Sequence, residues 1–229
     1  MRVAIIPARG GSKRIPYKNI KLFHGKPMIA WSIMAAQHSK IFDRVIVSTD
    51  DSEIAEIAIT CGAEAPFIRP AKLADDHATT ADVMEHAVKL LVHEGHSPSE
   101  LCCIYATAPF IEVNDLVSGL ELLISGGWQY VFPAAEFTAP IFRGFKVGCG
   151  GLEMIFPEHY LTRSQDLPRV FHDAGQFYWG TKNAWLSKAP IFSNKSQFIE
   201  LPRLRVQDID TPEDWEIAEK IFTLLSSAK

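Results

Sequence analysis

Met1-Arg-Val-Ala-Ile-Ile-Pro-Ala-Arg-Gly10-Gly-Ser-Lys-Arg-Ile-Pro-Tyr-Lys-Asn-Ile20 opens the chain, and the fold is read from it. The apolar run Val3 to Ile6 ends at Pro7 and passes into a loop that holds Gly10, Gly11 and Ser12 among Arg9, Lys13, Arg14 and Lys18. A β-branched run closed by Pro and Gly predicts a buried strand feeding a loop at its carboxyl end. In open α/β sheets that edge is where ligands bind. The glycines, with Ala8 before them, let backbone N–H groups come close to a ligand, and the cations suit the loop to a polyanion. Seven Lys or Arg residues fall by Lys26 and no Asp or Glu precedes Asp43, so nothing near in sequence neutralises the charge. A solvated basic turn is the plainer reading, but it leaves the placement after a buried strand unexplained. The spacing is neither that of a P-loop nor that of a dinucleotide fingerprint, which needs a third Gly.

Outward from this loop, short apolar strands alternate with amphipathic helices. Helices are predicted over Met28–Ser39, from about Ser52 to Cys61 with Asp51 or Ser52 as cap, over Ala81–Glu94, and from Asn114 or Asp115 to about Ser125. Strands are predicted at Arg44–Ser48, Pro66–Ile68, Leu101–Tyr105, Gln176–Trp179 and Phe198–Leu201. Thr211, Pro212 and Asp214 mark the start of a final helix. This order predicts an α/β fold with a mostly parallel, Rossmann-like sheet and crossover helices, as one domain over 1–229. From Tyr130 to about Pro168 the alternation falters among Pro133, Pro140, Pro157 and the Gly148 to Gly151 cluster. That stretch, about 133–170, reads as an antiparallel excursion and an oligomer contact.

Composition narrows the function. A hydrophobic share of 47% with 22% charged residues suits a soluble globular protein, and a net charge of −4 gives no overall pull on nucleic acid. No leader and no apolar run of about 18 residues is seen, so no membrane partner is expected. Cys61, Cys102, Cys103 and Cys149 lack metal-type spacing and read as thiols in a reducing compartment, the cytoplasm.

Three further stretches carry chemistry. In Val206-Gln-Asp208-Ile209-Asp210-Thr-Pro, the two carboxylates share one face of an extended segment while Ile209 points inward. Such a pair can hold Mg²⁺ together with water and substrate phosphates; alone, it serves equally as a helix cap and a solvated carboxylate. Arg69 to Thr80, with Ala78 and His77, is a small-residue loop able to seat a planar base, or simply a polar connection. No second ligand at suitable spacing supports His77 as a metal ligand. Tyr160 to Gln176, with Arg163, Gln165, His172 and Asp173, is dense in donors and acceptors and suits a polyhydroxylated carboxylate, or is simply a surface loop between subdomains. There is no Gly-x-Ser-x-Gly elbow and no Cys with a partnered His.

Taken in this order, the four stretches resemble the acylneuraminate cytidylyltransferases, which activate nine-carbon acidic sugars. Ile-Pro-Ala-Arg-Gly-Gly-Ser-Lys followed by Pro-x-Lys18-Asn19 carries the likeness, which extends over nearly the whole chain. The resemblance implies a nucleotide-diphospho-sugar transferase sheet with a small dimerisation excursion, hence a homodimer. It implies CTP and a nine-carbon 2-keto acidic sugar as partners and Mg²⁺ as cofactor. Arg9, Ser12, Lys18 and Asn19, within the loop Ala8 to Lys13 and beyond, would meet the triphosphate, with Arg9, Lys18 and Asp210 catalytic. Arg69, Ala78 and Thr80 would lie at cytidine and Asp208 with Asp210 at the metal. Where sialic-acid members carry Gln-Pro-Thr-Ser-Pro-Leu-Arg, this chain reads Tyr105-Ala-Thr107-Ala-Pro-Phe-Ile, and His172-Asp173-Ala-Gly replaces Arg-x-Asn-Gly. Those runs, with Gln176 following, look like the pseudaminic acid branch, whose bacterial members supply surface and flagellar glycans. Transferases of legionaminic, sialic or another ulosonic acid, and a non-catalytic sugar-nucleotide sensor, are the alternatives.

Overall fold

The structure, a computed structural model, describes residues 1–75 and 78–227. His77 therefore lies outside the described residues. Its centre is β1 (Arg2–Pro7), paired in parallel with β4 (Arg44–Ser48) on one side and β5 (Glu100–Ile104) on the other. Two short strands, β2 (Leu22–Phe23) and β3 (Lys26–Pro27), form a small antiparallel ribbon before α1 (Met28–Ser39). Beyond β5 the sheet continues through β10 (Phe177–Thr181) to β6 (Tyr130–Glu136) and β11 (Ser196–Glu200), with β9 (Phe171–Asp173) also on β6. β1, β4, β5, β6 and β11 point one way, whereas β9 and β10 run against them.

Helices cover both faces, which is why β1 reads as a continuous apolar run. Ala4 and Ile6 pack with Ile29 and Ile33 of α1 and with Leu116 and Leu120 of α4 (Val113–Gly126). Val3 and Ile5 face Met84, Ala87, Val88 and Leu91 of α3 (Thr80–His93), and Trp185 of α5 (Lys182–Leu186). The adjacent Cys102 and Cys103 divide between these two cores, as strand alternation requires. A third cluster joins Ile15 of the opening loop, Phe23 and Ile209 to Trp215 and Ala218 of α6 (Pro212–Ser227). It ties the two ends of the chain together.

Local signals hold at the helix starts. Asp51 caps α2 (Ser52–Thr60), accepting from the N–H groups of Glu53 and Ile54. Thr211 and Asp214 exchange hydrogen bonds at 2.7 and 3.2 Å, the capping box that begins α6. In α4, by contrast, the start falls at Val113 and no side chain caps it, because the Asp115 carboxylate is held by Arg205.

Two expectations need correction. Pro66 to Ile68 is not a strand: Ile68 makes only an isolated bridge to Thr49, and Glu64 one to Ile46. Tyr130 to Glu136 is not part of an excursion but a central strand of the main sheet. Pro133 is tolerated there, and its carbonyl accepts from Ala174 N at 3.0 Å. The chain leaves the sheet only over 137–170, where β7 (Phe145–Gly148) and β8 (Gly151–Met154) form an antiparallel hairpin. Before that hairpin, Ile141–Arg143 forms a single turn.

Gly180 in β10 has no room for a side chain: a Cβ would fall 2.5 Å from Trp185 Nε1 and 2.7 Å from Tyr130 Cε1. Gly180→Ala is expected to cost about 1–3 kcal/mol through overpacking. Denaturant unfolding monitored by tryptophan fluorescence checks this, and a midpoint equal to wild type would refute the packing account.

Candidate active site

Parallel pairing aligns the carboxyl ends of β1, β4 and β5, with Pro7 beside Ser48 and Ile5 beside Cys103. The loops at those ends, 8–20, Thr49-Asp50-Asp51 and Tyr105 to Thr107, therefore emerge on one edge. Because β10 runs the other way, with Phe177 opposite Ile104, the segment before it, Asp173 to Gln176, reaches that same edge.

The opening loop is held by its own backbone and by β4. Asn19 Nδ2 donates to the Arg9 carbonyl at 2.9 Å, and Ser12 N to the Gly10 carbonyl at 2.9 Å. Tyr17 takes a positive φ of 54° at the bend, where Lys21 N returns to its carbonyl. Gly10 N donates to Asp50 Oδ1 at 3.1 Å, and a Cβ on Gly10 would sit 2.5 Å from Asp51 Oδ2, so only glycine fits. Gly11 has no atom within 4 Å of the corresponding point, leaving its backbone open to a ligand. Ala8 is buried and bonded to Ser48, while Lys13 is exposed. Arg9 Nη1 donates to the Asp75 carbonyl at 3.1 Å.

A cleft of about 290 Å³ opens beside this loop, lined by Arg9, Ser12, Lys18 and Asn19 on one side. Arg69, Ala78, Thr80, Tyr105 and Thr107 line the other. Arg69 is 4% exposed; burial pulls its guanidinium below the usual range, and Asp50 at 3.5 Å offsets this. Among the described residues its Nε has no hydrogen-bond partner, a buried donor left over for a ligand.

The acidic segment meets the loop here. Ile209 is buried against Ile15 and Trp215, so its carbonyl and the flanking carboxylates are presented together. Lys18 Nζ donates to the Ile209 carbonyl at 2.8 Å and to Asp210 Oδ1 at 3.2 Å. Arg14 Nη2 lies 2.8 Å from Asp210 Oδ2. Two of the loop cations, Arg14 and Lys18, thus find their counter-charge almost two hundred residues away. Burial, then Asp210, raises the pKa of Asp208, and Lys18 opposes the rise. Among the described residues no group of three or more His, Cys, Asp or Glu could hold a metal ion. A hard cation of the Mg²⁺ kind needs only one or two carboxylates, with water and phosphate oxygens completing its shell. Asp208 and Asp210 fit that role, since a cation relieves their mutual repulsion and carboxylate oxygens have lone pairs beyond those used by Lys18 and Arg14.

A second cavity of about 350 Å³ shares Tyr105 and Thr107 with the first and adds His172, Asp173, Tyr178, Gln207 and Asp208. Ser32 Oγ fixes the Tyr105 carbonyl at 2.7 Å, and His172 Nδ1 lies 3.0 Å from the Asp173 carbonyl. Gln176 is buried behind this wall, its Nε2 donating to the Arg205 carbonyl at 2.5 Å. Arg163 and Gln165 line neither cavity. They stand exposed in the turn around Ser164–Asp166, where Arg163 is neutralised by Asp166 at 2.8 Å. Asp50, Tyr178 and Gln207 went unread in the sequence. The signal for Asp50 was its place after β4; Tyr178 was hidden in an apolar strand.

The family model described as Cytidylyltransferase matches residues 3–225. The chain is 45% identical over 221 residues to a pseudaminic acid cytidylyltransferase of Campylobacter jejuni, covering 96% of this chain and 95% of that one. It is 30% identical to a CMP-N,N'-diacetyllegionaminic acid synthase of Legionella pneumophila over 100% of this chain and 99% of that protein. The solved structure of a CMP:2-keto-3-deoxy-manno-octonic acid synthetase complexed with CTP superposes with a TM-score of 0.69 at 17% identity, covering 98% and 99% of the two chains, which establishes the shared fold. The chain belongs to the cytidylyltransferase family of nucleotidyl-transferring enzymes.

Proposed function

We propose that the enzyme joins CTP to pseudaminic acid, giving CMP-pseudaminic acid and pyrophosphate. The contact between Lys18 and Asp210 carries this reading, because it sets a cationic cradle and an acidic pair side by side where two cavities share a wall. The nucleotide occupies the first cleft, with the base toward Arg69, Ala78 and Thr80. Its triphosphate lies against the backbone of Gly10 to Lys13 and the side chains of Arg9, Ser12, Lys18 and Asn19. The sugar occupies the second cavity, beside Tyr105, Thr107, His172 and Asp173.

The anomeric hydroxyl oxygen bonds to the α-phosphorus as the bond from that phosphorus to the bridging oxygen breaks; the hydroxyl proton is released to solvent, and pyrophosphate departs with the electron pair. Arg9 and Lys18 stabilise the charge that collects on it. The shared wall of Tyr105 and Thr107 holds the reacting groups in line. Mg²⁺ held by Asp208 and Asp210 would supply further neutralisation of phosphate charge. The buried, free thiols of Cys102 and Cys103 support a reducing, cytoplasmic setting in a bacterium. No helix among the described residues is long and apolar enough to cross a membrane. The hairpin β7–β8, which leaves Val147 80% and Leu152 69% exposed, supports a homodimer formed through the 137–170 excursion.

Three measurements test these points. Removing the charge in Lys18→Met should lower turnover by about 10²-fold, read as pyrophosphate release; a rate near wild type would refute its role. Asp210→Ala should raise the Mg²⁺ concentration needed for half-maximal rate, and unchanged turnover at limiting Mg²⁺ would contradict metal binding there. Sedimentation of the Val147→Asp, Leu152→Asp double variant should report monomer where wild type reports dimer, and an unaltered dimer would place the interface elsewhere.

A further inference from the structure

Two tyrosine hydroxyls stand in the wall between the two cavities, each tied to a different side. Thr80 Oγ1, in the first cleft at the start of α3, lies 3.3 Å from the Tyr105 hydroxyl. The rings of Tyr105 and Tyr178 pack against each other, their centroids 5.6 Å apart. The Tyr178 hydroxyl donates to Asp173 Oδ2 in the second cavity. A phenolic hydroxyl has a single proton, and Tyr178 commits its own to the Asp173 carboxylate. Burial raises both tyrosine pKa values, Tyr178 further, and keeps these protons in place. The other Asp173 oxygen, Oδ1, accepts from Gly175 N at 2.9 Å, where Gly175 turns with a φ of +62°.

Asp173 is thereby gripped at both oxygens, with acceptor capacity remaining toward the cavity it lines. Resting on the proposed reaction, we infer that Tyr178 is a positioning residue for the sugar: its hydroxyl holds one oxygen of Asp173 and so presents that carboxylate as a fixed acceptor for a hydroxyl or acylamino N–H of the acidic sugar. Without the Tyr178 hydroxyl, Asp173 Oδ2 loses its donor. The carboxylate is then free to turn away from the sugar, while the phosphate cradle on the far side of Tyr105 is untouched. The consequence falls on one substrate and spares the other.

Tyr178→Phe keeps the ring, which packs against Phe132 and Tyr105, and removes one oxygen. Initial rates of pyrophosphate release, with CTP and pseudaminic acid varied in turn, should show the KM for the sugar rising by about tenfold. The KM for CTP should stay within twofold and kcat within about threefold. Asp173→Asn should reproduce the rise in sugar KM, and adding Tyr178→Phe to it should change little more, since the second residue acts through the first. A role in folding alone predicts equal rises in both KM values with a lower melting temperature, and that result would overturn the inference. So would a sugar KM within twofold of wild type in Tyr178→Phe. If the wild type releases no pyrophosphate from CTP with this sugar, the proposed reaction fails and the inference fails with it, an outcome distinct from those two.

Discussion

The Lys18 ammonium, caught between the Ile209 carbonyl and the Asp210 carboxylate, is the interaction that makes one site out of two ends of the chain. It is partly buried, so the attraction is screened less than at an open surface. The apolar cluster beneath it, Ile15 with Ile209 and Trp215, fixes how far the two segments can move. Alone, the loop would be a concentration of positive charge and the acidic pair a repulsion between carboxylates. Side by side they offset one another, and both remain placed to act on a ligand that carries phosphate.

The sheet supplies the second constraint. Parallel strands deliver their loops to one edge, and only the loops leaving β1, β4 and β5 would otherwise serve it. Inserting β10 antiparallel between β5 and β6 brings a preceding segment, Asp173 to Gln176, to the same place. The two cavities thus share Tyr105 and Thr107 while being built from opposite strand directions. Within that shared wall, the Tyr105 hydroxyl reaches Thr80 on the nucleotide side and the Tyr178 hydroxyl reaches Asp173 on the sugar side.

Much of this was legible in the residues. The continuous apolar run Val3 to Ile6 announced a strand buried on both faces, and α1 and β4 fall at Met28–Ser39 and Arg44–Ser48 as their patterns predict. The loop and the Asp208–Asp210 segment were each visible, because charge clustering and two-residue spacing are local properties. Their meeting is not a local property: the resemblance implied it, and tertiary packing of Ile15 on Ile209 produces it. Pro66 to Ile68 looked like a strand but lacks the ladder partners that would make it one. Tyr130 to Glu136 was misassigned because prolines on either side of Glu136 blur the point where the chain leaves the sheet. Arg163 read as a ligand for a carboxylate, yet Asp166, three residues on, already pairs with it. Tyr178 gave no signal at all: its ring belongs to the core, and its function lies in one oxygen.

The account stands on the loop and the acidic segment acting as a single device on the phosphates, and a double-mutant cycle on kcat/KM for pyrophosphate release tests this most directly. Groups that work together lose less when both are removed than the sum of their separate losses, by about 0.5–3 kcal/mol. For Lys18→Ala and Asp210→Ala the account predicts a shortfall of that size. Losses that add to within about 0.5 kcal/mol would show two independent sites and would contradict it.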